Sequence, residues 1–199
     1  KIQDFPSHGT LTTADGNFTY TPDANFTGID TFTYTADDGE LTSEPATVTL
    51  NIDPINDQPT VSGASVRFDE DSVGTGVFLG EDIDGDALTY AVVLPASNGT
   101  VEVNADGSFS YTPDPDFFGA DSFTFKANDT VIDSESALVN ITVAPINDAP
   151  VIEDLTAVVE EDGEVSGVFT GFDVENDTLS FGVETAPANG TLTITGNPF

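Results

Sequence analysis

Apolar and polar side chains alternate along most of this chain. In the middle of the sequence Phe109 and Tyr111, and later Phe123 and Phe125, are separated by single polar residues. Successive side chains of an extended strand point to opposite faces of a sheet, so this period of two places the aromatic residues on one side. The pattern predicts strands with one buried face and one polar face.

Turn signals interrupt this alternation at short intervals. In the middle of the chain they are Asp84-Gly85, Asn98-Gly99, Asp106-Gly107 and Phe118-Gly119. Their spacing leaves no room for a helix of about ten residues or more. Seven short strands are predicted, approximately at 61–68, 76–79, 87–93, 100–103, 108–112, 121–127 and 137–143. Together they predict an antiparallel sandwich of two sheets.

The sequence is also a tandem repeat. Residues 145–150 read Pro-Ile-Asn-Asp-Ala-Pro, and residues 54–59, which lie 91 positions earlier, read Pro-Ile-Asn-Asp-Gln-Pro. A period close to about 100 residues is typical of an immunoglobulin-type sandwich. We therefore expect an all-β chain of tandem sandwich repeats. Residues 1–58 are predicted to be the C-terminal part of a first repeat, 59–149 a complete repeat, and 150–199 the N-terminal part of a third.

Charge narrows the range of partners. The chain has 36 acidic and 3 basic residues, for a net charge of -33. Such a surface repels nucleic acid and anionic membranes, whereas cations are its natural partners. No stretch approaches the length of an apolar membrane span, so direct membrane insertion is not expected.

Catalysis is not expected either. The sequence contains no Cys, a single His and no nucleophile motif, so that paired carboxylates are the remaining candidates for catalytic groups. These carboxylates recur in every repeat, as structural ligands do, rather than appearing once as an active site does. The single histidine, His8, precedes Gly9 in a predicted turn and is expected to be an exposed loop residue.

The acidic residues fall at the two ends of the predicted sandwich. If successive strands run alternately up and down, the end facing the preceding linker carries Asp82, Asp84, Asp86, Asn128 and Asp129. The opposite end carries Glu70, Asp71, Asp114, Asp116 and Asp121, with Asn147 and Asp148 of the outgoing linker. Two carboxylates about 4 Å apart repel by roughly 4 kcal/mol at an effective dielectric constant near 20, so these clusters need counter-ions. Oxygen ligands without His or Cys favour calcium.

Several motifs occur in a fixed order along the chain. They are the Asn-Asp linker between prolines, Glu70-Asp71, Asp82-Ile83-Asp84-Gly85-Asp86, Asn98-Gly99-Thr100, Tyr111-Thr112-Pro113 and the segment 117–123. In this order they resemble the bacterial cadherin-like tandem repeats of large secreted adhesins and cell-surface proteins. The resemblance covers essentially the full chain. It implies calcium between consecutive repeats and an extracellular, cell-surface role as a calcium-rigidified extender or stalk in adhesion.

Calcium ligands are accordingly expected on both sides of each linker. At the first junction the predicted ligands are Asp30, Asn56, Asp57, Asp82, Asp84 and Asp86. At the second they are Glu70 or Asp71, Asp121, Asn147, Asp148, Asp173, Glu175 and Asp177. Glu175 stands where the middle repeat has Asp84, which lengthens one ligand arm.

The expected partners are the neighbouring repeats of the same chain. Identical chains joined head to tail are a second expectation, because residues 5–53 and 151–199 hold complementary parts of one sandwich. A carbohydrate-binding or protein-binding module is the alternative function, although no Trp and only 4 Tyr are available as aromatic platforms. The acidity also admits two plainer interpretations, namely solvated turns and adaptation to high salt.

Overall fold

The computed structural model describes residues 1–104 and 106–195. Within these ranges the chain has no helix, and about 45% of it is strand. Within the same ranges, therefore, no helix is long and apolar enough to cross a membrane. The all-β prediction is confirmed.

Sixteen strands are present in the described residues. In the first repeat they are β1 (Ile2–Asp4), β2 (Gly9–Ala14), β3 (Asn17–Pro22), β4 (Gly28–Tyr34) and β5 (Ala46–Ile52). In the middle repeat they are β6 (Thr60–Ser62), β7 (Ala64–Asp69), β8 (Gly74–Val77), β9 (Leu79–Glu81), β10 (Thr89–Leu94), β11 (Gly99–Val103), β12 (Ser108–Pro113), β13 (Gly119–Asn128) and β14 (Ala137–Ala144). In the third they are β15 (Val151–Ile152) and β16 (Gly171–Phe172).

The middle repeat is a two-sheet sandwich. One sheet has the order β10-β13-β14-β7, the other has the order β11-β12-β8, and β6 pairs with β9. The core is built from the alternate positions that the sequence pattern places on one face: Phe78, Phe109, Tyr111, Phe123, Phe125, Val139, Ile141 and Val143. In β13 buried and partly exposed residues alternate from Asp121 to Asn128, so the predicted phase of this strand is correct.

The first predicted strand is in fact two strands. It divides at Gly63 into β6 and β7, which join different sheets. A Cβ on Gly63 would lie 2.5 Å from the carbonyl oxygen of Leu138, so only glycine allows the backbone this close an approach. The second predicted strand likewise divides at Phe78, into β8 and β9.

One strand pair departs from the antiparallel prediction. β7 runs parallel to β14, with Val66 opposite Ile141, while every other pairing in the described chain is antiparallel. The parallel pair arises because β6 and β7 continue in one direction while the chain passes from one sheet to the other. Alternating side chains reveal which face is buried, but they do not reveal which strand lies alongside.

The first repeat contains the counterparts of only part of this sandwich. The sheet β1-β4-β5 corresponds to β10-β13-β14, and the hairpin β2-β3 corresponds to β11-β12. Phe32 is buried like Phe123, whereas Phe18 is 50% exposed although its counterpart Phe109 is 1% exposed. One side of this core is therefore open.

The described part of the third repeat forms one short strand pair. Val151 lies opposite Phe172, and Ile152 lies opposite Gly171. This register is that of β6 and β9, in which Thr60 lies opposite Glu81, shifted by the 91-residue period. The start of a repeat therefore folds in the same way after both linkers.

Candidate metal centre

Three carboxylates of the middle repeat converge at the end nearest the first linker. Asp82, Asp84 and Asp86 follow β9, and their ligand oxygens lie within 4.8 Å of one another. Asp82 Oδ1 accepts the backbone N–H of Asp84 at 2.9 Å and that of Asp86 at 3.2 Å, which folds the loop around it. Asp82 Oδ2 is buried and has no hydrogen-bond partner in the described chain. A buried oxygen without a partner is costly unless a cation or another donor binds it.

The first linker is attached to this loop and to its neighbour. Asn56 Nδ2 donates to Asp129 Oδ2 at 2.8 Å, and the Asp57 N–H donates to Asp84 Oδ2 at 2.8 Å. Asp129 also accepts the N–H groups of Val131 and Ile132. The two linker residues thus sit against both loops that the sequence assigns to this end.

A second group forms at the opposite end, across the second linker. It comprises Glu70 of the middle repeat, Asp148 of the linker and Glu175 of the third repeat, with ligand oxygens within 4.8 Å of one another. Glu70 is 1% exposed, and its Oε1 accepts the Ile146 N–H at 2.7 Å. The Asp148 N–H donates to Glu175 Oε2 at 3.1 Å, as that of Asp57 does to Asp84. Each of the three carboxylates keeps one buried oxygen with no partner in the described chain: Glu70 Oε2, Asp148 Oδ2 and Glu175 Oε1.

Asp148 belongs to a third group as well. Asp71 and Asp116 place their carboxylates beside it, again with ligand oxygens within 4.8 Å of one another. Burial raises the pKa of Asp148, and the charges of Asp71, Glu175, Asp116 and Asp173 raise it further. The linker carboxylate therefore lies in a strongly negative environment.

The donor set at this end fits a hard divalent cation. It offers carboxylate oxygens from Glu70, Asp71, Asp116, Asp148 and Glu175. Calcium takes 6–8 oxygen ligands in flexible geometry, and such a cation would both bind the partnerless oxygens and offset their mutual repulsion. No imidazole or thiolate belongs to any of the three groups, so softer transition metals are poorly matched.

Two predicted ligands instead cap loops within their own repeats. Asp121 is buried and accepts hydrogen bonds from the N–H groups of Ser97, Asn98 and Ser122 and from the Tyr111 hydroxyl. Burial alone would raise its pKa, but these donors outweigh burial and lower it.

Asp30 makes the corresponding bonds in the first repeat. Its donors are the N–H groups of Ser7, His8 and Thr31 and the Tyr20 hydroxyl, and here too the donors outweigh burial, lowering the pKa of Asp30 to about 2. The oxygens of both residues are already used, so we leave Asp30 and Asp121 out of the ligand sets that we propose.

The remaining predicted ligands lie beside the groups. Asp173 Oδ1 accepts the Asp177 N–H at 2.9 Å, and Asn147 Nδ2 donates to the carbonyl oxygen of Asp148 at 2.9 Å. Asp116 was not among the predicted ligands, yet it joins the group around Asp148. Its loop position after Pro113, at the same end as Glu70, is the sequence signal that could have identified it.

Family models match almost all of this sequence. The bacterial Ig domain matches residues 56–142 and 147–198, and the bacterial cadherin-like domain matches residues 1–54. The chain belongs to the bacterial Ig domain family. The match to the cadherin-like domain confirms the resemblance drawn from the motifs.

Solved structures confirm the fold of this bacterial Ig chain. Human mucin-like protocadherin EC1-2 has a TM-score of 0.52 at 14% identity, with 73% of this chain and 83% of that chain covered. The protocadherin gammaB7 EC3-6 cis-dimer also gives 0.52, at 17% identity, with 87% and 51% covered. Both are tandem cadherin structures, so these likenesses show the sandwich repeat.

Curated relatives are much longer proteins. Integrin beta-like protein A of Dictyostelium discoideum is 28% identical over 198 residues, which cover 88% of this chain and 10% of that protein. Integrin beta-like protein B of the same organism is 31% identical over 118 residues, which cover 51% of this chain and 6% of that protein. The chain spans about a tenth or less of these relatives. Together with the family matches, they point to an adhesion-type module, and the matched families are structural domains rather than enzymes.

Proposed function

We propose that this chain is a calcium-rigidified segment of an extracellular adhesin or surface filament, in which it extends a stalk. The observation that carries the proposal is the set of three buried, partnerless oxygens on Glu70, Asp148 and Glu175. These residues come from the middle repeat, the linker and the third repeat. A cation that binds them joins all three parts of the chain.

Asp148 is the residue through which the junction stiffens. Its N–H already contacts Glu175 of the third repeat, and its carboxylate faces Asp71 and Asp116 of the middle repeat. Without a cation the carboxylates repel, and with one the repulsion becomes attraction to a common centre. Calcium binding is therefore expected to reduce bending at the linker, which a stalk needs in order to hold its tip away from a surface.

The expected affinity suits an extracellular role. Calcium modules outside cells bind with dissociation constants of about 10⁻⁴ to 10⁻³ M, so millimolar calcium fills them substantially. At ten times the dissociation constant, binding stabilises the folded form by about 1.4 kcal/mol per site. Chelation is expected to remove this contribution and to release the hinge.

Calcium titration calorimetry and X-ray scattering on the same samples test the proposal. Calcium should release or absorb heat with a millimolar or tighter midpoint, and it should lengthen the particle relative to chelator. Asp148→Asn should weaken binding at the second junction by about tenfold or more, because a shared anionic ligand is lost. Glu102→Gln removes one charge from the exposed face of β11 and serves as the matched control. Scattering profiles that superimpose in calcium and chelator, with no binding heat, would contradict the stalk.

A further inference from the structure

The first and last long strands of the middle repeat lie side by side and run in the same direction. β7 pairs with β14 in parallel, from Ala64 opposite Val139 to Asp69 opposite Ala144. β7 follows the first linker through β6, and β14 leads into the second linker. The chain therefore enters the repeat at one end of this strand pair and leaves it at the other end.

This arrangement determines how tension acts on the repeat. A pull on the preceding linker draws β7 back along its own axis, and a pull on the following linker draws β14 in the opposite direction. The two strands are then forced to slide past each other. Hydrogen bonds of a parallel ladder are evenly spaced along the strands, so sliding strains all of them together. Force applied across the strands would instead break them one after another.

The contact between the two strands continues beyond their ends. The Glu70 N–H donates to the carbonyl oxygen of Ala144 at 2.9 Å. The Ile146 N–H donates back to Glu70 Oε1 at 2.7 Å. Glu70 thus joins the end of β7 to the first residues of the second linker.

The backbone bond of Glu70 also shows which N–H groups of β7 belong to the ladder. β7 is the edge strand of its sheet, so β14 lies on one side of it. N–H groups point alternately to the two sides of a strand. Every second residue back from Glu70 therefore directs its N–H toward β14, which includes Ala64, whereas residues between them, such as Ser65, direct it away.

Side-chain packing opposes the same sliding movement. The Phe68 ring stacks on Tyr111 with ring centroids 6.1 Å apart, and Val66 packs against the same core. Phe68 also fills the space that Gly74 leaves, because a Cβ on Gly74 would lie 2.1 Å from the ring. In a close-packed core, β7 cannot move lengthwise without displacing these neighbours. The ladder and the core contacts must therefore give way together.

β6 is held less firmly than β7. It has three residues and pairs with β9, from Thr60 opposite Glu81 to Ser62 opposite Leu79. Tension therefore reaches β7 fully once β6 has detached. Releasing about four residues lengthens the chain by at most about 14 Å, which is a small step before the main unfolding event.

We propose that the β7–β14 pair is a shear clamp, which makes the middle repeat resist tension along the chain. The repeat yields when these two strands slide apart. The rate of unfolding governs resistance to force, so this one step sets the force that the repeat withstands. That a stalk carries such tension rests on the proposed function, whereas the clamp follows from the strand pairing alone.

A cation at the second junction adds a further connection to the clamp, and this step also rests on the proposed function. Glu70 Oε2 and Asp148 Oδ2 are two of the partnerless oxygens. A cation that binds both ties the end of β7 to the linker that pulls on β14. β7 then cannot slide until this connection breaks, so calcium is expected to raise the force that the repeat withstands.

Single-molecule pulling on the 199-residue chain in chelator tests the clamp. The sequence has no Cys, so introduced thiols alone define where the force acts. Asp53→Cys with Glu153→Cys loads the strands lengthwise. Ser65→Cys with Asn140→Cys loads them crosswise, because these two residues lie opposite each other in the ladder. At one loading rate the lengthwise pair should unfold the repeat at a several-fold higher force, and equal forces in the two directions would overturn the clamp.

Two proline variants test the ladder itself. Proline removes a backbone N–H and is tolerated in edge strands. Ala64→Pro removes an N–H that faces β14 and should lower the lengthwise force. Ser65→Pro is the matched control, since the N–H that it removes faces away, and equal losses from the two variants would contradict the role of the ladder. The comparison of pulling directions needs neither variant, so it decides the question even if one of them does not fold.

Calcium separates the clamp from the proposed function. One millimolar calcium should raise the lengthwise force, and Asp148→Asn should remove this increase, whereas Glu102→Gln on the exposed face of β11 should keep it. A difference between the two directions that calcium does not alter would uphold the clamp and overturn the part given to the cation. Absence of binding heat in calorimetry would overturn the proposed function and leave the result in chelator intact.

Discussion

At the scale of single residues, aspartate side chains of this protein lie in two opposite electrostatic environments. Asp121 and Asp148 are both buried or partly buried carboxylates near repeat ends, but the first receives four hydrogen bonds and the second faces other carboxylates. Consequently the pKa of Asp121 is lowered and that of Asp148 is raised. The sequence places both at the same pole, yet it does not show which of them meets N–H donors.

The Tyr111 hydroxyl supplies one of the bonds to Asp121. It donates to Asp121 Oδ2 at 3.0 Å and to the Asn98 carbonyl oxygen at 3.1 Å. We expect Tyr111→Phe to lower the free energy of unfolding by about 1–3 kcal/mol, the usual cost of removing a hydrogen bond to a buried charged group. Urea unfolding of the middle repeat measures this change in the free energy of unfolding. Tyr90→Phe is the control in the same repeat, because the Tyr90 side chain is only partly buried and its hydroxyl has no hydrogen bond within the described residues, and an equal loss from it would contradict the role of the bond.

The stability of the fold should depend on pH, and the raised pKa of Asp148 determines the sign of this dependence. In chelator its ionised form destabilises the fold at neutral pH, and this cost disappears as the pH falls through the folded-state pKa toward the ordinary value of 3.8. Asp148→Asn should therefore melt above the parent chain in chelator at neutral pH, with the difference vanishing near pH 4. In calcium the parent chain should instead melt at a higher temperature than Asp148→Asn. If the two proteins keep the same order of melting temperature in chelator at neutral pH, in chelator near pH 4 and in calcium, the role given to Asp148 is wrong.

At the scale of strands and turns, the period of two was sufficient to assign the buried face. Phe109, Tyr111, Phe123 and Phe125 are in the core as the alternation predicts. The division of the first strand at Gly63 was not predicted, because it depends on the carbonyl oxygen of Leu138, which is distant in sequence. The alternation of side chains within a strand indicates which face is buried, whereas the strand that pairs with it depends on contacts between residues distant in sequence.

The phase of β13 can be tested by a pair of substitutions. Phe123→Ala removes a fully buried ring and should lower the free energy of unfolding by about 3–5 kcal/mol. Thr124→Ala and Ser122→Ala alter the opposite face and should each cost far less, although Thr124 loses the bond that its Oγ1 accepts from the Leu94 N–H. Chemical denaturation compares the three variants, and equal losses would mean that the two faces are wrongly assigned.

At the scale of the whole molecule, the three repeats differ in how much of a sandwich each one holds. The middle repeat has both sheets, the first has an open side, and the described third repeat has one strand pair. The 91-residue period of the sequence predicts this division. The sequence already assigned Glu70, Asp148 and Glu175 to one junction, whereas the position of Asp116 beside Asp148 required the structure, because it depends on how a loop folds against the linker.

Hydrogen exchange should report this gradient. Amides of β13 and β14, which lie inside the four-stranded sheet, should exchange slowest, and those between residues 153 and 170 should exchange fast at low protein concentration. Uniform protection across all three repeats would contradict the gradient.

The two linkers share the sequence Pro-Ile-Asn-Asp and one backbone contact, from the Asp57 N–H to Asp84 and from the Asp148 N–H to Glu175. A repeat that is exchanged at this hexapeptide therefore meets an equivalent receiving loop. Unequal recombination between the corresponding stretches of a gene would add or delete whole repeats without disturbing any core. The reach of the proposed stalk would then vary between lineages through copy number alone, while each joint kept its shape.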